Sequence, residues 1–480
     1  MFKDATDMAE AVRSGQVSPK EMVLETIAKA ESENPRLNAI TSTRYEKALL
    51  EAEEGNFAGK PFAGVPIFLK DLGQEQAGEV STSGSILFAN YRAQQSDNYV
   101  QKLESLGFIV LGRTNTPEFG FKNTSDSQLH GTVNLPDDVT RNAGGSSGGA
   151  AALVASGVSP LAGASDGGGS IRIPASFNGL IGLKPTRGRI PVGPSSYRGW
   201  QGASVNFALT KTIRDTKTLL EQFQICQMES PFVLPRLTHE DLFEKSLKPL
   251  RVALQLTSPI GGQVSAEAIS AVKKAAQFLE KEGHEIIVLD KLPLDGIEAM
   301  KSYYIMNSVE TAAMFDGIEA SLGRQMTIDD MEVMTWAIYR SGQKIPAKTY
   351  SSILSQWDQY SRIMYDFHRS YDILLSPTVA EVAPKHGQFD LSDQLKDKLR
   401  HMDDFNSKEQ QDLIWQMFEH SLDWTPFTQQ ANLTGQPSIS LPVYRTEDGL
   451  SIGVQVTAAK GREDLLLQIG ELFENKNQFM

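Results

Sequence analysis

The sequence predicts an α/β fold with a mixed, mostly buried β-sheet, because helix and strand patterns alternate along the chain. Residues 96–106 repeat apolar side chains at helical spacing, end at Gly107 and lead into the short apolar strand 108–111. Residues 265–282 predict another amphipathic helix, again closed by glycine, before a strand over 284–289. Glycine after the last turn commonly ends a helix, so each segment is typical of a helix that leads into a strand.

Both ends of the chain extend this pattern. The first 55 residues predict two helices. The second begins at residues 18–21, Ser-Pro-Lys-Glu, because serine is a favoured cap and proline a favoured first helical residue. Near the carboxyl end, residues 438–443 and 450–457 predict two strands joined by a turn, and residues 462–474 predict a closing helix.

The domain organisation follows from composition along the chain. No linker rich in Pro, Gly or Ser divides it, so we expect one domain over residues 1–480. The strongest shift lies at residues 290–420, which are rich in Met, Tyr, Gln and Ser and mostly helical in pattern. This composition predicts a lid or a helical insertion that decides substrate choice. The alternative interpretation is a few ordinary surface helices.

Overall composition restricts the classes of function. Lys plus Arg number 46 against 59 Asp plus Glu, a formal net charge of −13, so we expect no nucleic-acid partner. Cys226 is the single cysteine, which excludes an internal disulfide, and none of the seven histidines has metal-ligand spacing, so we expect no metal and no cofactor. The sequence shows neither a membrane span nor the apolar core of a signal peptide, so we expect a cytoplasmic protein without membrane contact.

Two runs of glycine and serine are the most unusual feature of the sequence. Residues 143–149 are Ala-Gly-Gly-Ser-Ser-Gly-Gly, and residues 164–170 are Ala-Ser-Asp-Gly-Gly-Gly-Ser. Ordering glycine costs backbone entropy, so a folded chain keeps such runs where its backbone must approach another group closely. Free backbone N–H groups can hold an oxyanion, and a serine beside them is a candidate nucleophile.

Other kinds of glycine-rich segment fit less well. Apolar helix and strand patterns flank both runs, which a flexible linker would not need. No lysine follows either run as in a phosphate-binding loop, and neither run has the spacing of a dinucleotide-binding loop. The GxSxG pattern of α/β-hydrolases is also absent, because Ser170 is followed by Ile171.

The residues alone leave the base that would activate a serine open. A Ser–His–Asp set is one alternative, although none of the histidines lies in an informative context. Lys70 is another, because it ends the apolar run 64–69, which predicts a buried strand, and burial can keep a lysine neutral. A lysine whose ammonium group reaches the surface at the end of a strand is the non-catalytic interpretation.

The chain as a whole resembles the amidase signature family. The main match is residues 144–187, GGSSGGAAALVASGVSPLAGASDGGGSIRIPASFNGLIGLKPTR, which is far more specific than a short motif. Supporting segments are Gly64-Val65-Pro66 through Lys70-Asp71-Leu72, residues 115–120, Arg214-Asp215, residues 375–378, residues 433–437 and Gly453-Val454-Gln455. The resemblance implies a large mixed β-sheet sandwiched between α-helices, with a signature core over about residues 60–215.

The resemblance also implies a Ser–cis-Ser–Lys triad that transfers the acyl group of an amide. Ser170 matches the nucleophile, Ser146 matches the bridging serine with its unusual cis peptide, and Lys70 matches the base. The enzyme would form an acyl-enzyme on Ser170 while Ser146 and Lys70 relay the proton, and water would then release the acid. The partner implied is a small-molecule amide, cleaved by a monomer or homodimer.

Further residues take supporting roles under the same resemblance. The backbone N–H groups of Gly167, Gly168 and Gly169, together with that of Ser170, would line the oxyanion hole. Ser147, Asp166 and Arg172 would support the site, the last two as a local ion pair, unless both only shape the loop. Aromatic and Met side chains could shape the substrate pocket or be ordinary core residues; they are Tyr303, Tyr304, Met306, Trp336 and Trp424.

Two segments depart from the commonest family pattern. Residues 165–169 are Ser-Asp-Gly-Gly-Gly where many members have Thr-Asp-Thr/Ile-Gly-Gly, and Asn206 begins a segment where many have Gly-Pro-Leu. The first form is most similar to a subgroup with aryl acylamidases and cyclic amide-oligomer hydrolases. The alternatives are a glutaminase-type A subunit of a tRNA-dependent amidotransferase and a non-catalytic binding protein with this fold.

Overall fold

Helices and strands alternate along residues 2–480, which this computed structural model describes. The α-helices are α1 Ala5–Arg13, α2 Pro19–Leu37, α3 Tyr45–Glu54, α4 Asn98–Ser105, α5 Gly148–Ala155, α6 Arg172–Asn178, α7 Ile213–Phe223, α8 Ala266–Lys281, α9 Gly296–Leu322, α10 Val333–Gln343, α11 Ala347–Phe367, α12 Asp393–Arg400, α13 Ser407–Trp424, α14 Gln429–Thr434 and α15 Glu463–Asn475. The strands are β1 Ile40–Thr43, β2 Pro66–Lys70, β3 Ile109–Thr114, β4 Asp126–Ser127, β5 Gly131–Thr132, β6 Asn134–Leu135, β7 Asp138–Asn142, β8 Leu161–Asp166, β9 Ile181–Lys184, β10 Val205–Thr210, β11 Arg251–Leu254, β12 Glu285–Val288, β13 Ile373–Pro377, β14 Ser438–Arg445 and β15 Ser451–Ala458.

The central element is an eight-stranded mixed sheet in the order β12-β11-β13-β15-β14-β9-β10-β8. Strand β11 is parallel to both β12 and β13, and the remaining neighbours are antiparallel. Helices α6, α8 and α15 pack on this sheet, and every residue of β15 is buried. The α/β class and the helix-covered mixed sheet are therefore confirmed.

A separate three-stranded sheet lies next to the large one. Its order is β1-β3-β2, with β2 parallel to β3 and β1 antiparallel. Strand β2 also contacts β8 of the large sheet. This contact brings together the polar residues at the ends of the two strands, Lys70 and Asp166.

Most predicted elements lie within one or two residues of their expected bounds. The capping box at the start of α2 is present, since Ser18 and Glu21 exchange side-chain-to-backbone hydrogen bonds. The first 55 residues contain more than the two helices predicted, because α3 and the short strand β1 follow α2. Strand β1 has only four residues, too few for a period-two pattern to stand out.

The stretch 290–420 is mostly helical, as its composition predicts, but it is not helical throughout. Strand β13 lies within it and joins the large sheet between β11 and β15. Helices α9, α10, α11 and α13 pack around an apolar cluster of their own that includes Met306, Ile338 and Trp357. Among the described residues, no helix is both long enough and apolar enough to cross a bilayer.

Candidate active site

Three predicted site segments converge where β2 and β8 end. Lys70 is the last residue of β2, and Ser165 and Asp166 are the last residues of β8. Ser146 lies just before α5, in the first glycine–serine run. The chain therefore brings together groups that are far apart in sequence, with Lys70 and Ser146 joined by a hydrogen bond of 2.7 Å.

Lys70 is completely buried, so the surface-reaching interpretation of this lysine is wrong. Its Nζ donates to Ser146 Oγ at 2.7 Å and to Ser165 Oγ at 3.0 Å. Burial lowers the pKa of Lys70 to about 7, against an opposing effect of the Asp166 carboxylate. A large fraction of this lysine is therefore neutral at neutral pH and able to accept a proton.

The first glycine–serine run places Ser146 between the lysine and the cavity. The Gly145–Ser146 peptide bond is cis, as the family resemblance implies. Gly120 lies against Ser146, because a Cβ added to Gly120 would be 3.2 Å from Ser146 Oγ. Ser147 instead faces the strand, where its Oγ bonds the backbone of Ser165 at 3.2 and 3.3 Å.

The second run forms a tight loop between β8 and α6, with Ser170 at its end. Ser170 is 7% exposed and lines the cavity, and its hydroxyl makes no hydrogen bond within residues 2–480. The N–H groups of Gly167, Gly168 and Ser170 are likewise free of hydrogen bonds within these residues. The N–H of Gly169 differs, because it donates to Asp166 Oδ1 at 2.7 Å.

Residues far away in sequence hold the glycine loop in place. Thr428 Oγ1 donates to the carbonyl of Gly168 at 2.6 Å, and the Tyr303 hydroxyl donates to the carbonyl of Gly167 at 3.1 Å. Sequence analysis missed Thr428, since no glycine–serine motif surrounds it. These bonds fix the peptide groups whose N–H groups would receive an oxyanion.

Asp166 and Arg172 form the predicted ion pair, with both side chains fully buried. Two hydrogen bonds of 2.9 Å join the guanidinium to the carboxylate, and Asn432 Nδ2 adds a third at 2.8 Å. Burial alone would raise the pKa of Asp166, but Arg172 holds it well below its usual range. The carboxylate therefore stays ionised and braces the loop through Gly169.

A cavity of about 560 Å³, here the first cavity, opens beside these groups. Ser146, Ser165, Gly167, Gly168 and Ser170 all line it. Apolar and aromatic walls come from other elements, namely Phe119, Phe121, Trp200, Met300, Tyr303, Tyr304, Met314 and Phe418. The shape suits a substrate with an apolar part next to a reactive serine.

The predicted pocket residues divide into two groups. Tyr303 and Tyr304 line the first cavity. Met306 is core, the Trp336 indole donates to the Arg400 carbonyl, and the Trp424 indole donates to the Val382 carbonyl; none of these three lines the first cavity. Trp200 and Phe121, which stack at 6.0 Å, take their place, and no local pattern distinguishes them in the sequence.

The titratable side chains around the first cavity narrow the choice of base. None of the seven histidines lines the first cavity, so the Ser–His–Asp alternative is wrong. Among residues 2–480, no group of three or more His, Cys, Asp or Glu side chains is placed to hold a metal ion. Lys70 remains the titratable group in contact with a serine of the cavity.

Comparison with known proteins assigns nearly the whole chain to one family. The family model described as Amidase matches residues 21–467. The lipoamidase of Enterococcus faecalis is 38% identical over 480 residues, which are 99% of this chain and 64% of that protein, so the chain spans less than two thirds of its length.

Two solved structures extend the comparison to the fold. A structure of 6-aminohexanoate cyclic dimer hydrolase with its substrate is 33% identical, with a TM-score of 0.87, covering 98% of this chain and 96% of that one. A bacterial aryl acylamidase is 25% identical, with a TM-score of 0.85, covering 100% and 97%. The chain therefore belongs to the amidase signature family, whose members hydrolyse amide C–N bonds.

Proposed function

We propose that the protein is a serine amidohydrolase that cleaves a carboxylic amide, and also an ester, through an acyl-enzyme on Ser170. One observation carries the proposal. A buried lysine with a pKa of about 7 donates to Ser146 at 2.7 Å, beside a free Ser170 hydroxyl in the same cavity. A neutral amine next to a hydroxyl relay is what a serine nucleophile without histidine requires.

The proton moves along the relay as the bond to carbon forms. Lys70 accepts the proton of Ser146, and Ser146 accepts the proton of Ser170. Ser170 Oγ bonds to the carbonyl carbon, and the oxygen that becomes negative is held by the N–H groups of Gly167, Gly168 and Ser170. The loop's third glycine, Gly169, supports this hole through its bond to Asp166.

The second half of the reaction reverses the proton path. The C–N bond breaks and the leaving nitrogen takes its proton from Ser146, which recovers one from Lys70. Water then loses a proton to the same relay and attacks the acyl carbon, and Ser170 regains its proton as the carboxylic acid leaves. The net change is one amide and one water converted into one acid and one amine.

Hydrolysis of a small amide panel tests the proposed activity. Purified protein is incubated with aliphatic amides, anilides, matched esters and glutamine, and acid and amine products are measured by mass spectrometry. We expect equal amounts of acid and amine from wild type and none above background from Ser170→Ala. Release of ammonia from glutamine alone would favour the amidotransferase A subunit, and binding without products would favour the non-catalytic protein.

The assembly and the cellular location of the protein complete the proposal. We propose a monomer or homodimer in the cytoplasm, acting on a small-molecule amide. The exposed thiol of Cys226 suits a reducing compartment. Light scattering of the purified protein and fractionation of the source cells test these two points directly.

A further inference from the structure

A second cavity adjoins the first one. It has a volume of about 650 Å³, and both cavities share a wall that includes Leu72, Gly73, Phe119 and Met314. Helix α9 lines the first cavity from Met300 to Met314, and Met314 is part of the shared wall. A substrate lying along α9 therefore has room on both sides of the reactive serine.

The charged residues that line the two cavities are all acidic. Glu310 lines the first cavity, and Glu75 and Asp97 line the second. No Lys or Arg side chain lines either cavity, and none forms an ion pair with these carboxylates within residues 2–480. Burial and the neighbouring Asp97 raise the pKa of Glu75 against an opposing effect of Arg113, and a bound cation would act in the same direction as Arg113.

Glu310 is oriented by its neighbours on the wall of the first cavity. Glu310 is held in place, because its Oε1 accepts from Gln201 Nε2 at 2.9 Å and from the Tyr350 hydroxyl. The other carboxylate oxygen of Glu310, Oε2, accepts no hydrogen bond within residues 2–480, so it is free to accept one from a cationic group of a substrate.

We expect the leaving amine of the substrate to lie at the shared wall, next to the acidic residues. Ser146, which would protonate the amine, and Leu72 both flank Gly120, where an added Cβ would lie 3.2 Å from Ser146 Oγ and 2.6 Å from Leu72 Cδ2. Leu72 is part of the shared wall. The opposite end of the first cavity is apolar, with Met300, Tyr304 and Phe418, and suits the acyl chain.

We propose that the joined cavities select amides whose amine portion carries a second, positively charged nitrogen, as in a mono-acylated diamine. The inference rests on the proposed function and adds the substrate class. Glu310 follows Tyr303 by two helical turns, about 10 Å along α9. An extended chain advances roughly 1.2 Å per bond, so an arm of about six to eight bonds would reach Glu310 from the glycine loop.

A matched pair of amides tests the charge preference. One is hexane-1,6-diamine acylated with octanoate at one nitrogen, and the other is N-heptyloctanamide, in which a methyl group replaces the ammonium group. We expect wild type to favour the cationic amide by about tenfold or more in kcat/KM, the size of a charged hydrogen bond. Glu310→Gln and Glu75→Gln should each lower that ratio, and the double variant should bring it close to one.

A control variant and a binding measurement keep the test decisive. Asp316→Asn removes the same charge from an exposed position on α9 outside both cavities, and it should leave the ratio unchanged. Calorimetric binding of both amides to Ser170→Ala separates substrate selection from turnover. Equal binding of the two amides, or a preference that persists in the double variant, would overturn the inference; loss of turnover with the binding preference intact would overturn only the proposed reaction.

Discussion

Lys70 Nζ lies 2.7 Å from Ser146 Oγ, at the end of a strand in which all five residues are buried. The strand cannot expose the ammonium group, and the hydroxyls of Ser146 and Ser165 are its hydrogen-bond acceptors. Desolvation therefore favours the neutral amine, and the fold itself supplies the base of the proposed reaction.

The pH dependence of the reaction should report the ionisation of Lys70. Burial lowers the pKa of this lysine to about 7, and only its neutral form accepts a proton. We expect kcat/KM to rise with pH below about 7 and to level off above it, measured on a neutral amide. Lys70→Arg should be inactive at every pH, because a guanidinium does not lose its proton in this range.

Lys184 provides the control for that assignment. It is also buried with a pKa of about 7, but its Nζ donates to the Pro185 carbonyl and it does not line the first cavity. In a folded Lys184→Met variant, the rise of kcat/KM with pH up to about 7 should persist. If this rise disappears while the variant remains active, the assignment of the ionisation to Lys70 is contradicted.

The two serines that contact Lys70 should differ in their effect on rate. Ser146→Ala breaks the proposed relay, and we expect kcat to fall by about 10²–10⁴, the usual contribution of acid–base catalysis. Ser165→Ala removes the other acceptor of the lysine, at 3.0 Å, without interrupting the relay, and should lower kcat far less. Equal losses in the two variants, measured at saturating amide, would contradict the order of proton transfer.

The buried ion pair of Asp166 and Arg172 should be costly to break. Arg172→Met leaves a buried carboxylate without its partner, and we expect about 3–5 kcal/mol less free energy of unfolding. Arg362→Met breaks a pair in which the arginine is 73% exposed, and it should leave the free energy of unfolding almost unchanged. Denaturant titration followed by circular dichroism measures the free energy of unfolding of both variants. Similar losses in the two would contradict a larger contribution of the buried pair to stability.

The glycine loop leaves no room for a side chain at Gly168. A Cβ there would lie 2.7 Å from the Tyr303 hydroxyl, so Gly168→Ala should displace the proposed oxyanion donors and lower kcat by about 10²-fold or more. Tyr303→Phe removes the clashing oxygen, and adding it to Gly168→Ala should recover part of the loss. Gly317→Ala, on α9 with no atom within 4 Å of the added Cβ, is the control and should leave kcat unchanged. A double variant no more active than Gly168→Ala would contradict a clash with the Tyr303 hydroxyl as the cause of the loss.

The sequence predicts the parts of the site that are encoded locally. The glycine–serine runs suggest an oxyanion loop, and the apolar run before Lys70 predicts a buried strand, which the structure shows. The residues alone leave open whether the lysine at its end is buried, and the structure buries it completely. Thr428 could not be found in this way, because it reaches the loop from a connecting segment far along the chain. Tyr303 is a pocket candidate in the sequence, but its hydrogen bond to the Gly167 carbonyl depends on how α9 packs. The same holds for Glu310, whose position in the cavity depends on how α9 packs rather than on its neighbours in sequence.

The identity of the nucleophile is the central claim, and labelling with a fluorophosphonate serine reagent tests it most directly. Intact mass is measured for wild type, Ser170→Ala and Lys70→Ala, with circular dichroism to show that each is folded. We expect one adduct on wild type, none on Ser170→Ala and slow labelling of Lys70→Ala. An adduct that persists in Ser170→Ala, or no adduct on folded wild type, would contradict an acyl-enzyme on Ser170.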